Sequence, residues 1–318
     1  MAVIISACGK QANTNVKQVE ETPASTASNE GAQTQLIKHA FGETEIPLHP
    51  KRVAVFGLED IMLSLEAPMV YAYGFKGYYL EEQLKQQNVK LSNDTNYEPS
   101  NEEILASQPD LIIVQQYAID QSKYEALSKI APTIAFAPSD WRSSIVEIGK
   151  ALGKEDKAQE VIKAHDEKIE QAKKAVTAAV GADKTVVYMR PSEKELQVFF
   201  PSFSFVYTAF GLNPDISIAE FQKETSDDWG INTSLEKLPS IKADYIFAIY
   251  GGSIDTEETV QKELDASTAI EQLQVWKVMP AVKENHVFKV SPRHWMSSGP
   301  IAESRQIEDV VAAVTGKK

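Results

Sequence analysis

Short apolar, β-branched runs separated by longer amphipathic stretches set the pattern from about residue 36 onward. The runs are Val53-Ala54-Val55-Phe56, Leu111-Ile112-Ile113-Val114, Thr133-Ile134-Ala135-Phe136, Thr185 to Met189, Tyr245 to Ile249 and His286 to Val290. Each is short enough and apolar enough for a strand buried on both faces. Helical periodicity fills the intervals, and that alternation predicts parallel sheets covered by helices on both sides. From Lys154 to Val180 the pattern changes. No Gly or Pro interrupts it, apolar or small residues recur at Ala158, Ile162, Ile169, Ala172 and Val176, and Gly181 supplies a stop. A helix of this extent is roughly 40 Å long, more than a crossover within one lobe requires, so the pattern predicts a helix joining two lobes.

The two halves share a further motif. Ser100-Asn101-Glu102-Glu103-Ile104 leads to Asp110 and an apolar strand, and Ser234-Leu235-Glu236-Lys237-Leu238 leads to Asp244 and another. In both, Glu follows Ser by two positions and Asp follows it by ten, as expected of one helix–turn–strand unit used once per lobe. Ahead of the first strand, residues 9–35 are rich in Gln, Asn, Thr, Ser and Glu and nearly free of large apolar side chains. Such a segment cannot bury enough surface to offset its ordering entropy, and it reads as a tether.

The chain has 318 residues, enough for two lobes. With 32 Lys and Arg against 45 Asp and Glu, its formal net charge is −13, a poor match for nucleic acid or an anionic membrane surface. The one cysteine, Cys8, excludes an internal disulfide and a Cys-based metal cluster. It follows Ile4-Ile5-Ser6-Ala7, an apolar run closed by small residues, which resembles a bacterial lipobox. Seven residues precede it, fewer than a basic n-region plus an apolar core of about 7–15 residues need, so residues 1–8 read as a shortened signal remnant. Lipid on Cys8 would be the anchor.

No His-Glu-x-x-His, Gly-x-Ser-x-Gly, P-loop or Gly-x-Gly-x-x-Gly motif occurs. The five histidines, His39, His49, His165, His286 and His294, lack metal-ligand spacing, and no catalytic residue is expected.

The lipobox, the polar tether, Pro50-Lys51-Arg52-Val53-Ala54-Val55, the Glu102 to Ile113 unit, Ile130-Ala131-Pro132-Thr133, Leu152-Gly153-Lys154-Glu155 and the long helix occur in an order that resembles the siderophore-binding lipoproteins of iron ABC importers. Ala209-Phe210-Gly211-Leu212, Asp228-Trp229-Gly230 and Val287 to Val290 followed by Trp295 are similar to the ferric-hydroxamate branch of Gram-positive bacteria. The resemblance implies an α/β fold of two Rossmann-like lobes with central, mostly parallel sheets joined by one long α-helix, the class III substrate-binding protein fold. The expected division is an N-terminal lobe at 36–153, an interlobe helix at 154–181 and a C-terminal lobe at 182–318.

The resemblance also implies an extracytoplasmic, lipid-anchored monomer that captures a ferric siderophore in the interlobe cleft and passes it to membrane permease subunits. No cofactor is needed, and the chelate's own oxygens fill the iron's coordination. One glutamate per lobe docks to the permease in this family, and the motif carries that role to Glu102 and Glu236; helix capping is the competing account. A bulky, nearly neutral trihydroxamate wants aromatic walls and a few donors. Arg190 and Arg293 are the expected donors, and Trp295, Tyr188, Tyr117 and Tyr78 the expected walls. Core packing of Tyr188 and surface pairing of Arg293 stay open. The stretch Phe199 to Phe205 holds neither the Trp nor the Arg that the hydroxamate branch often places there. The alternatives are a catecholate siderophore, cobalamin or haem, and His294 or a tyrosine is the candidate haem ligand.

Overall fold

A computed structural model describes residues 1–2, 33–92 and 97–316. Cys8 and most of the expected tether lie outside the described residues. The first described element is a hairpin, β1 (Thr34–His39) paired antiparallel with β2 (Gly42–Pro47). Gln35 looks like tether by composition, but its side-chain amide donates to the carbonyl of Ala151 at 3.1 Å, a partner 116 positions away that local pattern cannot reveal.

The first sheet contains β3 (Val53–Phe56), β4 (Met69–Ala72), β5 (Lys90–Leu91), β6 (Leu111–Gln115) and β7 (Thr133–Phe136) in the order β5-β4-β3-β6-β7. All its pairings are parallel. Every residue of β3, β6 and β7 is buried, as strands that are apolar but for Gln115 and Thr133 and covered on both faces should be. The second sheet contains β8 (Thr185–Pro191), β9 (Leu196–Phe199), β10 (Asn213–Pro214), β11 (Gly230–Thr233), β12 (Tyr245–Ile249) and β13 (Val287–Val290). Its order is β11-β9-β8-β12-β13, with β10 beside β8, and only the β8–β9 and β9–β11 pairings are antiparallel.

The repeated Ser–Glu–Asp motif has a structural meaning. Asp110 accepts from the backbone N–H groups of Lys51 and Arg52 at 2.7 and 2.9 Å. Asp244 accepts from the backbone N–H of Thr185 at 2.9 Å and from Lys184 Nζ at 2.7 Å. Each aspartate ties the entry of one strand, β6 or β12, to the entry of its parallel neighbour, β3 or β8. Each serine caps the helical turn that follows it, Ser100 by accepting from the N–H of Glu103 and Ser234 from that of Glu236.

Two lobes with mostly parallel sheets, joined by one long helix, form this α/β fold. The joining helix is Glu155–Val180, 26 residues. Its first turns pack into the core of the first lobe through Ala158, and its last turns into that of the second through Ala172 and Val176. A second helix makes the same crossing. Pro300–Thr315 places Ala302 in the first core and Ile307, Val310 and Val314 in the second. His165 of the long helix lies between these elements. Its Nδ1 is 3.0 Å from Arg142, and its Nε2 is 3.0 Å from Glu303, without the alignment of a hydrogen bond. Trp141 donates to Glu303 at 2.8 Å.

Candidate functional site

The loops that follow strand ends converge between the lobes, as open α/β sheets dictate. They enclose a cavity of about 350 Å³, toward the small end of the roughly 300–1,000 Å³ typical of ligand sites. From the first lobe it is bordered by Gly57, Glu59, Tyr78, Tyr97, Gln115 and Tyr117; from the second by Ser253, Ile254, Met296 and Ser297, among others. Among the described residues lining it there is no Lys or Arg.

The floor follows from local sequence. β3 ends at Phe56, Gly57 turns the chain, and Glu59 and Asp60 open the short helix Glu59–Ser64. Acidic side chains suit a helix N-terminus, but here both are buried. Glu59 Oε1 accepts from the N–H groups of Gly57 and Tyr73 at 2.9 and 3.0 Å. Its Oε2 is buried without a hydrogen-bond partner among the described residues. Loss of hydration pushes the Glu59 carboxyl up to about 7.

Asp60 faces the other way. Its Oδ1 accepts from the N–H of Ile301 at 2.8 Å, and its Oδ2 from the N–H of Ala302 at 2.8 Å and the hydroxyl of Tyr79 at 2.9 Å. It therefore caps the second crossing helix from the first lobe. Burial raises its carboxyl to about 6, the main cause being lost hydration. Gly299, at φ +142°, precedes that helix, and a Cβ there would strike the Asp60 carboxyl.

An aromatic cluster stands over this floor. Tyr73 meets Tyr97 edge-on at 4.8 Å between ring centres, and Tyr78 packs on Phe75 and Tyr79 at 5.2 and 4.9 Å. Gln115 donates to the Tyr97 hydroxyl at 2.8 Å. Burial, with the nearby Glu59 carboxyl, pushes the Tyr78 hydroxyl well above its ordinary range.

The structure brings together only part of the expected set. Tyr78 and Tyr117 border the cavity, Tyr117 with 68% of its surface exposed. Arg293 is not among the lining residues but bonds to one of them, Ser253. The guanidinium stacks on Phe75 of the opposite lobe at 4.9 Å, and Nη1 donates to the carbonyl of Ser253 at 3.1 Å. Its Nη2 is buried and unpaired among the described residues. Arg190 is half-buried at the end of β8, opposite Gln197 in the β8–β9 register.

Tyr188 and Trp295 are placed differently from the expected cleft walls. Both lie in the second lobe's core. The Tyr188 hydroxyl donates to the carbonyl of Trp295 at 3.0 Å, and Trp295 stacks on Phe247 at 4.9 Å and donates to Asp309 at 2.8 Å. His294 is buried too, with Nε2 2.7 Å from the same Asp309 oxygen, so that nitrogen is not free to ligate haem. An aromatic side chain near a strand end reads the same whether it faces core or cleft, and its hydrogen-bond partner decides which.

Glu102 and Glu236 are exposed in the capped first turns of equivalent units, one per lobe, and neither has an ion-pair partner among the described residues. Tyr97, Asp60, Ile254 and residues 296–298 were not singled out from sequence. The pair Glu59-Asp60, directly after a fully apolar strand, was the signal available for the floor.

Two lobes, two crossing helices and an enclosed cavity between strand-end loops define a cleft-type ligand-binding protein. The chain belongs to the periplasmic binding protein family, whose sequence model matches residues 61–293. It is 32% identical, over 98% of its length and 93% of the relative's, to the iron(3+)-hydroxamate-binding protein FhuD of Bacillus subtilis. Its fold superposes with a TM-score of 0.72 on a FhuD-fold-family binding component of a ferrichrome ABC transporter from Bacillus subtilis, at 29% identity and covering 87% of this chain and 99% of that one. Against Staphylococcus aureus SirA complexed with staphyloferrin B the TM-score is 0.71, at 26% identity, covering 88% of this chain and 98% of that one.

Proposed function

We propose that this protein is the extracytoplasmic receptor of an ABC importer, and that it captures a ferric hydroxamate siderophore between its lobes and delivers it unchanged to a membrane permease. The observation that carries this is the cavity lining: tyrosine rings, small hydroxyls and two carboxyls, with no Lys or Arg among the described residues. Catecholate and citrate-type chelates bear several negative charges and call for clustered cations. A neutral trihydroxamate does not. The iron is cargo, held by the chelate's own oxygens, and the protein binds the outer surface of the complex without turning it over.

Within this reading Tyr78 and Tyr117 are walls, and Arg293 Nη2 is the donor for a hydroxamate oxygen. Arg190 is a further donor at the end of β8. Tyr188, Trp295 and His294 support these contacts from behind, through Asp309 and the second core. Residues 36–153 and 182–318 act as the lobes and 154–181 as the spine. Glu102 and Glu236 are the permease-docking points, Cys8 carries lipid that holds the protein at the outer face of the cell membrane, and the body acts as a monomer.

Titration of the soluble body with ferrioxamine, ferrichrome, a ferric catecholate, ferric citrate and haem, followed by tryptophan quenching, tests the ligand class. Tight quenching by hydroxamates alone is expected. A response confined to a catecholate, to citrate or to haem would refute it.

A further inference from the structure

Glu59 is the one carboxyl in the cavity floor whose bonding is incomplete. Asp60 beside it has both oxygens engaged by Ile301, Ala302 and Tyr79. Glu59 has one oxygen fixed by two backbone N–H groups and one, Oε2, buried with no hydrogen-bond partner among the described residues. The residue is 1% exposed, so the group is built into the floor and does not hang in solvent. Leaving such an oxygen without a donor is costly, and native structures rarely do so without a functional reason.

The surroundings specify the missing partner. Tyr73, whose backbone N–H bonds to Glu59, and Tyr78 and Tyr97, whose hydroxyls burial and the Glu59 charge push upward, stand near the carboxyl. Asp60 is the neighbouring carboxyl. Among the described residues lining the cavity no cation supplies compensation. Arg293 is not among the lining residues: it stacks on Phe75 and bonds to the Ser253 carbonyl, and its remaining Nη2 is the donor assigned above to a hydroxamate oxygen. A buried carboxylate flanked by phenol rings is a combination that recognises an ammonium ion. The carboxylate forms a charge-assisted hydrogen bond, and the ring faces attract a cation electrostatically.

We propose that Glu59 Oε2, with the rings of Tyr78 and Tyr97, seats a protonated amine carried by the incoming chelate, so that the receptor selects amine-bearing ferric hydroxamates. This rests on the hydroxamate reading above. The rise of the Glu59 carboxyl toward 7 accords with a site built for that charge: burial shifts the empty group toward its neutral form, and an arriving ammonium stabilises the ionised form.

Ferrioxamine B, which ends in a free ammonium, and its N-acetyl derivative share one iron centre and differ only at that group. Titrating the wild-type body with both at pH 7.5 should show the amine form binding about ten- to a hundred-fold tighter, the range of one charge-assisted hydrogen bond. Glu59→Gln keeps the shape of the side chain. It should bring the ratio close to one while leaving affinity for the acetylated chelate within about threefold of wild type. Equal binding of the two chelates by the wild-type protein would overturn the amine seat while leaving the hydroxamate reading intact, and it requires no variant to fold. Equal loss of both chelates by a folded Glu59→Gln protein would overturn it as well. Failure of both chelates to bind, with a catecholate or haem binding instead, would overturn the two proposals together.

Discussion

Replacing Asp60 by alanine tests whether the second crossing helix is anchored in the first lobe. Asp60 is fully buried and serves three donors: the first free N–H groups of Pro300–Thr315, at Ile301 and Ala302, and the Tyr79 hydroxyl. Loss of an N-cap costs about 1 kcal/mol. A buried Tyr79 hydroxyl without an acceptor costs about 1–3 kcal/mol more. The expected loss is therefore about 2–4 kcal/mol at pH 8, or a fall in Tm of roughly 4–16 °C for a body of this size. The pH dependence has a definite sign. The folded-state Asp60 carboxyl is raised from 3.8 to about 6, so between those values the folded protein holds a proton that the unfolded chain has released. The stabilisation due to Asp60 is thus fully present below about 4 and declines as pH rises through 6. The penalty of Asp60→Ala should be larger at pH 5 than at pH 8 by about 1 kcal/mol. Urea unfolding of wild type and variant at both pH values, with m-values checked for constancy, measures this. A loss below about 1 kcal/mol at pH 5, or a penalty that grows toward pH 8, would refute the assignment of Asp60 as a buried interlobe cap.

Glu59 titrates in the same direction: with its carboxyl raised from 4.5 to about 7, the ligand-free body should lose up to about 3 kcal/mol of stability as pH rises from 4.5 to 8. Glu59→Gln should remove that slope in urea unfolding; an unchanged slope would mean that the group titrates normally. Tyr117→Ala should leave stability within about 0.5 kcal/mol, because the residue is 68% exposed, yet weaken ferric hydroxamate binding by about 1 kcal/mol; unaltered affinity in the quenching assay would remove Tyr117 from the site. Trp295→Ala should instead destabilise the fold by about 3–5 kcal/mol, since the ring is buried on Phe247 and bonded to Asp309, and a folded variant with a selective binding defect would return it to the cleft. Glu102→Lys with Glu236→Lys should abolish iron uptake by cells while siderophore affinity in solution stays unchanged, and normal uptake would refute docking.

The strands and the spine were legible because their signals are local. Val53–Phe56 and the stretch Leu111 to Val114 are apolar without a break, and Glu155–Val180 repeats its small and apolar positions until Gly181. Residues whose meaning depends on a distant partner were not. Periodicity marks the buried face of Pro300–Thr315, but it does not say that the face spans two cores, and the cap that fixes its start comes from Asp60, 241 positions earlier. Tyr188 and Trp295 have the composition of a cleft wall and the hydrogen bonds of a core.

The same contrast between local and distant contacts bears on how the receptor can move. The lobes are tied by two crossing helices and by the buried Asp60 cap, contacts that resist opening because breaking them exposes apolar surface and orphans backbone donors. They are also tied by loops: Lys76 pairs with Glu257 at 3.0 Å with both side chains largely exposed, and Arg293 rests on Phe75. An exposed ion pair is worth about 0–1 kcal/mol, and a cation stacked where it is shielded from water, as Arg293 is, about 2 kcal/mol, both far less than two packed cores. The loop ties are therefore the ones that yield when a ligand enters, while the helices keep the lobes in register. A ligand bulkier than the cavity of about 350 Å³ should therefore enter by displacing the 75–77 and 253–257 loops rather than by rotating the lobes.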